Sequence, residues 1–445
     1  MAGSSLKGGA EKMSCVTLHR ELTLFGPLCW RNAAHVLIVI GSVFAGCAEA
    51  QTVIAQHSEA SPAVGQVSLS GSPLSQASAD NQPRFTIVPS VRTVYDSNVL
   101  RSFDVGDAGD NVRVTPGIDF RIRRAFGRVA LTADGSAGYD FNSRYRFLNR
   151  SRIDFGGTAR APVGAICSAG LDVQFRQFQF ELDDTQETVG SSTRNQSYSL
   201  TGSCPRAAGF SPIGSLSYSS NRSNGLSIFD SYQFREQIGV SYAKPGLGTL
   251  ALVATAQQLR RPNIADLIGF EDGTDIRSLL LGLTRAVSPR IRFNLAAGIT
   301  EANPTRVGVE NFVGASYDGK VEWLITPRFV VSGTAARAVS SQNGIGATYV
   351  IREDYGAAVD WQVSGASRVG IAARQTKRDF RGEDLNLERQ PIGSDEVTAL
   401  SANYSYAASR SLRLGFGLSH RWRDAENSFY DYEATVLSSS IGTQF

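Results

Sequence analysis

Long hydrophobic runs are nearly absent from this chain. Outside residues 33–48, no stretch approaches the roughly 20 apolar residues that a membrane-spanning helix needs, which excludes a helical membrane bundle. Histidine is scarce, with four residues in 445, and five cysteines are too few for a disulfide-rich scaffold. Charged residues make up 19%, below the roughly 25% of a soluble domain. Lys+Arg 44 against Asp+Glu 41 leaves +3, too balanced for a nucleic-acid binder, so no nucleic acid is expected as a partner. What is plentiful is glycine, 44 residues, and a strict alternation of apolar and small or polar residues. That combination predicts a large all-β protein.

The one apolar run, Ala33–Ala48, follows Arg31 and ends at Ala48-Glu49-Ala50. A basic flank, a short apolar core and an A-x-A site describe a secretory signal peptide over 1–50. Met13 is an alternative start to Met1, and a lipoprotein signal at Cys47 competes, although Phe44 stands where Leu is usual. Residues 51–83 are rich in Ser, Ala, Gln and Gly and nearly free of aromatics, so a disordered periplasmic tether is expected there.

From Arg84 to Phe445 the alternation has period two. Leu437, Ser439, Ile441, Thr443 and Phe445 share one face, and Ser438, Ser440, Gly442 and Gln444 the other. Leu412, Leu414, Phe416 and Leu418 alternate in the same way with Arg413, Gly415, Gly417 and Ser419. The face opposite the apolar one carries Gly, Ser, Asn and charge, as expected of a water-filled lumen behind a lipid-facing band. Only a closed barrel lets strands cross lipid, because every edge N–H and C=O must be paired. The expectation is an antiparallel up-and-down β-barrel in the outer membrane of a Gram-negative bacterium, with outer-membrane lipid as a partner. Its last strand resembles the aromatic-ended terminal strand of such barrels. Leu437, Ile441 and Phe445 are therefore the expected insertion signal, read by the barrel-assembly machinery.

Turn chemistry sets the strand number. Short connections are expected at 124–127, 161–164, 204–212, 244–246, 288–290, 326–328, 364–367 and 409–411. Nine longer polar stretches lie between them, among them 96–110, 260–275 and 377–395. Nine loops and eight turns join about 18 strands, with 16 as the alternative. Once the leader is removed, only Cys167 and Cys204 remain, an even number in an oxidising compartment. A hairpin centred near 183–190 sets them nearly opposite each other at the periplasmic end, so a cross-strand disulfide is expected, against two unpaired thiols.

Val88-Pro89-Ser90, then Tyr95-Asp96-Ser97-Asn98-Val99, Gly106-Asp107 and Thr115-Pro116-Gly117-Ile118 resemble the opening of the β-barrel porin type 2 family. That family includes the EpsL-like outer-membrane proteins associated with exopolysaccharide biosynthesis. The resemblance implies an outer-membrane barrel and suggests a glycan-related role. It carries over no catalytic residue. Asp96 and Asn98, with Tyr95, match the family motif, and the structural reading of the pair is a turn, since Asp and Asn bond nearby backbone.

Catalytic chemistry is missing. Only His57 and His420 remain beyond the leader, and no Ser/His/Asp arrangement, metal-ligand cluster or phosphate-binding glycine loop appears. No enzyme, metal or cofactor is expected. The polar face carries Arg113, Arg121, Arg292, Arg374, Arg413 and Arg421, accompanied by acids such as Asp119, Asp134, Asp140, Asp172, Asp354 and Asp360. Either these charges pair with one another, stiffening the wall, or a cationic surplus favours anionic solutes. Expected functions are a channel for exopolysaccharide export or biosynthesis, with polysaccharide and periplasmic export components as partners, a general porin, or a non-conducting accessory barrel.

Overall fold

The computed structural model describes residues 84–102, 109–179, 192–224, 227–269, 271–340, 346–383 and 391–443. The expected leader, the tether and Phe445 lie outside the described residues. Among the described residues the strands are β1 (Arg84–Asp96), β2 (Asn111–Phe126), β3 (Val129–Asn142), β4 (Arg150–Val163), β5 (Cys167–Gln179) and β6 (Ser192–Ser203). They continue as β7 (Gly209–Asn224), β8 (Ser231–Lys244), β9 (Gly248–Arg260), β10 (Gly273–Ser288), β11 (Ile291–Pro304) and β12 (Phe312–Thr326). The last six are β13 (Phe329–Ser340), β14 (Tyr349–Trp361), β15 (Ser367–Arg381), β16 (Ser394–Ala407), β17 (Leu412–Ala425) and β18 (Tyr432–Thr443). A short helix α1 (Pro262–Ile268) lies in the connection between β9 and β10.

Every strand pairs antiparallel with its sequence neighbours, and β1 closes the 18-stranded sheet on β18, from Ser90↔Gly442 to Asp96↔Val436. Closure leaves no open sheet edge, the condition for strands that cross lipid. A ring of 18 strands encloses a lumen wide enough for water. No described helix is long and apolar enough to cross a membrane.

Side-chain direction follows the alternation. Leu281 is 57% exposed, Ile299 63%, Ile371 56% and Phe416 50%, and all lie on the outer face. Exposure of this size in water would cost several kcal/mol, at roughly 25 cal/mol for each Å² of apolar surface, so this face is built for lipid. Tyr95, Tyr139, Phe141, Tyr232, Tyr355 and Trp422 sit on the same face toward the ends where the longer connections lie. Trp422 packs against His420 with ring centroids 5.5 Å apart, and His420 Nδ1 is 2.9 Å from Thr435 Oγ1.

All eight short connections are present, and the strands run further into several of them than the sequence suggests. β2 extends to Phe126 and β4 to Val163, leaving turns at 127–128 and 164–166. Pro212 belongs to β7 and not to the preceding turn. It pairs with Val240 on β8, while pairing with β6 ends one residue away at Ser203↔Ile213. On the opposite rim β15 continues to Arg381 and β10 begins at Gly273, so the 377–395 and 260–275 stretches are partly strand. Polar composition there reflects strands that rise above the hydrocarbon layer.

The recurring Ser/Thr-containing turns have a common mechanism. Ser288 Oγ accepts from the Arg290 and Ile291 amides at 3.2 and 3.1 Å. Ser364 accepts from Ala366 and Ser367, and Ser409 from Ser411 and Leu412. The hydroxyl replaces the backbone acceptor that a two-residue reversal would otherwise lack. At Gly127 and Gly246, φ values of 58° and 84° require glycine.

Candidate functional site

The lumen is the candidate site, and two parts of its wall differ in chemistry. On β14–β17 and β1–β5 the inward positions carry guanidinium groups gathered around single carboxylates. Asp354 on β14 accepts from Arg352 at 2.7 Å, from Arg374 at 2.8 Å and from Thr376 at 2.7 Å. Strand pairing puts Thr376 directly opposite Asp354 and Arg374 one diagonal step away, beside Gly356, which offers no competing side chain. Asp395 on β16 faces Arg378 directly across the ladder and takes Arg423 diagonally from β17, both at 2.6 Å, with all three side chains buried. Asp140 on β3 accepts from Thr115 at 2.5 Å, with Arg152 at 3.4 Å and Arg113 at 4.0 Å. Two simpler pairs, Arg176–Asp154 at 3.1 Å and Arg368–Asp360 at 2.8 Å, lie on the same wall. β18 contributes small inward residues such as Ala434, Ser438 and Ser440, which leave room for the long side chains on both sides.

Charge counting is direct. Asp140, Asp354 and Asp395 each hold two guanidiniums, so each cluster keeps a formal surplus of one positive charge. A guanidinium also presents forked donors suited to carboxylate or phosphate.

On β6–β8 the inward residues are mostly hydroxyls and amides. Ser215 donates to Gln237 at 2.9 Å, Gln237 to Thr255 on β9 at 3.2 Å, Arg235 to Gln257 at 2.9 Å and Asn195 to Asn221 at 2.5 Å. In an 18-strand ring this part stands across from β15–β17.

The outer rim holds a cluster that sequence reading did not find. Asp272, just before β10, pairs with Arg261 at 2.8 Å and Arg306 at 3.1 Å, with all three side chains at most 4% exposed. Thr348, just before β14, donates from Oγ1 to Asp272 at 3.4 Å, and its carbonyl accepts from Thr274 Oγ1 at 3.3 Å. Arg306 donates to Gly382 O at 2.6 Å. These contacts tie together the outer ends of β10, β14 and β15, although β10 and β14 are not neighbours in the sheet. Nearby, Ala347, Val350, Phe380, Ile392 and Ala425 form a buried apolar cluster. In sequence these loop charges look like ordinary solvated residues. Only the meeting of four separate connections buries them.

The other singled-out residues are placed as follows. Arg113, Arg121, Arg292, Arg374, Arg413 and Arg421 all take inward positions, Arg374 and Arg113 inside the clusters and Arg421 buried. Asp96 accepts from the Asn98 amide at 3.0 Å and from Arg101 at 2.9 Å. Asn98, 3% exposed, donates from Nδ2 to Ser102 O and across the closing seam to Glu433 O, at 2.9 and 3.0 Å. Ser97 and Thr435 exchange two further bonds there. The motif therefore locks the β1–β2 connection to β18, while Tyr95 points outward. Cys167 and Cys204 extend the Ser168↔Ser203 register and face each other, with Sγ atoms 3.0 Å apart. Leu437 and Ile441 face outward, at 48% and 46% exposure. Among the described residues, no group of three or more His, Cys, Asp or Glu side chains could hold a metal ion.

No curated protein matches the chain. Several solved barrels resemble it at low identity. A BenF-like porin from Pseudomonas fluorescens aligns at 10% identity and TM-score 0.47, covering 82% of this chain and 99% of that one. The outer membrane protein OpdK of Pseudomonas aeruginosa aligns at 11% identity and TM-score 0.45, covering 81% and 99%. The siderophore receptor PirA of Pseudomonas aeruginosa aligns at 12% and TM-score 0.42, covering 81% and 80%. Residues 230–445, which span β8 to β18, match the family model described as "Putative beta-barrel porin 2", whereas the Tyr95–Ile118 stretch lies outside that match. With that match, the closed sheet and its lipid-facing band, the chain is a porin-like β-barrel of the Gram-negative outer membrane.

Proposed function

We propose that the lumen passes anionic solutes, and that its substrates are acidic exopolysaccharide chains or their precursors on the way out of the cell. The observation that carries this reading is the cationic surplus at Asp140, Asp354 and Asp395, where one carboxylate serves two guanidiniums. Fixed charge of one sign on a pore wall raises the local concentration of the opposite ion. The hydroxyl and amide wall opposite suits a polyhydroxylated chain, whose sugar hydroxyls find donors and acceptors there. The resemblance of Val88–Ile118 to exopolysaccharide-associated barrels supplies the glycan class.

Two measurements test it. In a planar bilayer under a salt gradient, the reversal potential is expected on the anion side. A deletion strain is expected to lose high-molecular-weight polysaccharide from the medium, with or without periplasmic build-up. An anion-selective channel with an unchanged glycan balance would leave a general porin. A second reading, a non-conducting accessory barrel, draws on the rim cluster around Asp272 and Thr348, which gathers the outer ends of three strands. Absence of any conductance would favour it.

A further inference from the structure

The two sets of connections differ in the charge of their sequences. The eight short turns contain Arg128, Arg206, Arg290, Arg328 and Arg410 and not one Asp or Glu. All five arginines are exposed, and no acidic residue shares a turn with any of them. By contrast, the nine long connections contain seventeen Asp and Glu against six Lys and Arg in sequence. Asp110, Asp266, Glu271, Glu310 and Glu383 are among the described ones. Short turns face the periplasm and long loops the outside.

Turn formation does not account for this pattern. The reversals are made by Ser and Thr hydroxyls, by Pro and by Gly, and at Ser288-Pro289-Arg290 the arginine supplies only a backbone amide to the turn. Either sign of side chain would serve these turns, and every charged one is positive. Inward positions near the same rim carry Arg121 and Arg413, with Arg292 opposite Glu322 on β12.

We infer that the periplasmic rim is a capture ring for polyanionic chains, so that the channel takes anions preferentially from the periplasmic side. This rests on the anion-channel reading proposed above and adds a direction to it. A multivalent anion feels the summed field of the ring over about one Debye length, roughly 8–10 Å at 0.1–0.15 M salt. Its entry rate is raised there, and it is opposed at the acidic outer rim. Once through, the chain is repelled from re-entry.

The test uses the full-length barrel in planar bilayers of zwitterionic lipid, with its orientation determined by a loop-side label. The probe is an oligogalacturonate, a short polyuronic acid, and a neutral maltodextrin of similar length is the control. Blocking events are expected at least about tenfold more often when the oligogalacturonate is added on the turn side, and this ratio is expected to fall as salt rises. Replacing all five turn arginines by Ser is expected to bring the ratio close to one while leaving open-channel conductance unchanged, because none of the five lines the lumen. Equal blocking from both sides, or sidedness that survives the fivefold replacement, would overturn the inference while leaving the channel intact. Loss of sidedness in bilayers with an anionic phosphatidylglycerol leaflet would also overturn it, showing that the ring binds lipid headgroups. A barrel that conducts nothing would sink the channel reading together with the ring.

Discussion

The two walls of the lumen obey the same alternation and differ in how their residues depend on one another. On β14–β17 and β1–β5, guanidiniums converge on shared carboxylates, so removing one member strands the rest. On β6–β8, hydroxyls and amides make one or two neutral hydrogen bonds each and can turn to water when a partner is lost. The first wall is a set of coupled units; the second is a row of nearly independent positions. A pore gains selectivity from the first and smooth passage from the second.

The largest effect that would sharpen this contrast is at Asp395. Its replacement by Ala leaves Arg378 and Arg423 buried without their shared counter-ion, and a loss of about 3–5 kcal/mol is expected. Ser217→Ala on the neutral wall should cost less than about 1 kcal/mol. Urea unfolding of the detergent-solubilised barrel compares the two, and equal losses would remove the distinction between the walls.

Next in size is the boundary between the walls, where Cys167 on β5 meets Cys204 beyond β6. A disulfide is expected in the oxidising periplasm, worth about 2–4 kcal/mol. Non-reducing peptide mapping should recover the linked peptide, and two free thiols would reject the bond. Smaller again is the seam within the cationic wall. Asn98→Ala removes the bonds to Ser102 and Glu433, and a loss of about 1–2 kcal/mol is expected in the same unfolding assay. The subtlest test concerns permeation. Arg374→Ser should shift the reversal potential toward the cation side, because Asp354 keeps Arg352 and its cluster loses the surplus charge. Ser215→Ala on the opposite wall should leave the potential where it was.

Much of the fold was legible in the residues. Eighteen strands followed from eight turn signatures, and the inward positions of Arg113 and Arg374 followed from parity alone. Parity is local: a strand's side chains alternate whatever its neighbours do. Strand length was read less well. Lys377–Arg381 looked like loop because strands that rise above the lipid carry polar residues on both faces. The Asp272 cluster was invisible, since Arg261, Asp272, Arg306 and Thr348 are far apart in the chain and no spacing links them.

The sequence by itself determined that this chain is a closed barrel with an apolar outside and a polar inside. Turn chemistry and a period of two are properties of short segments, and lipid permits only one way of closing them. Tertiary structure decided which charges share a partner. Register across strands placed two arginines on each of Asp140, Asp354 and Asp395, and loop convergence buried Asp272. Electrostatic pairing acts across the ladder and between connections, over distances in sequence that no local pattern records.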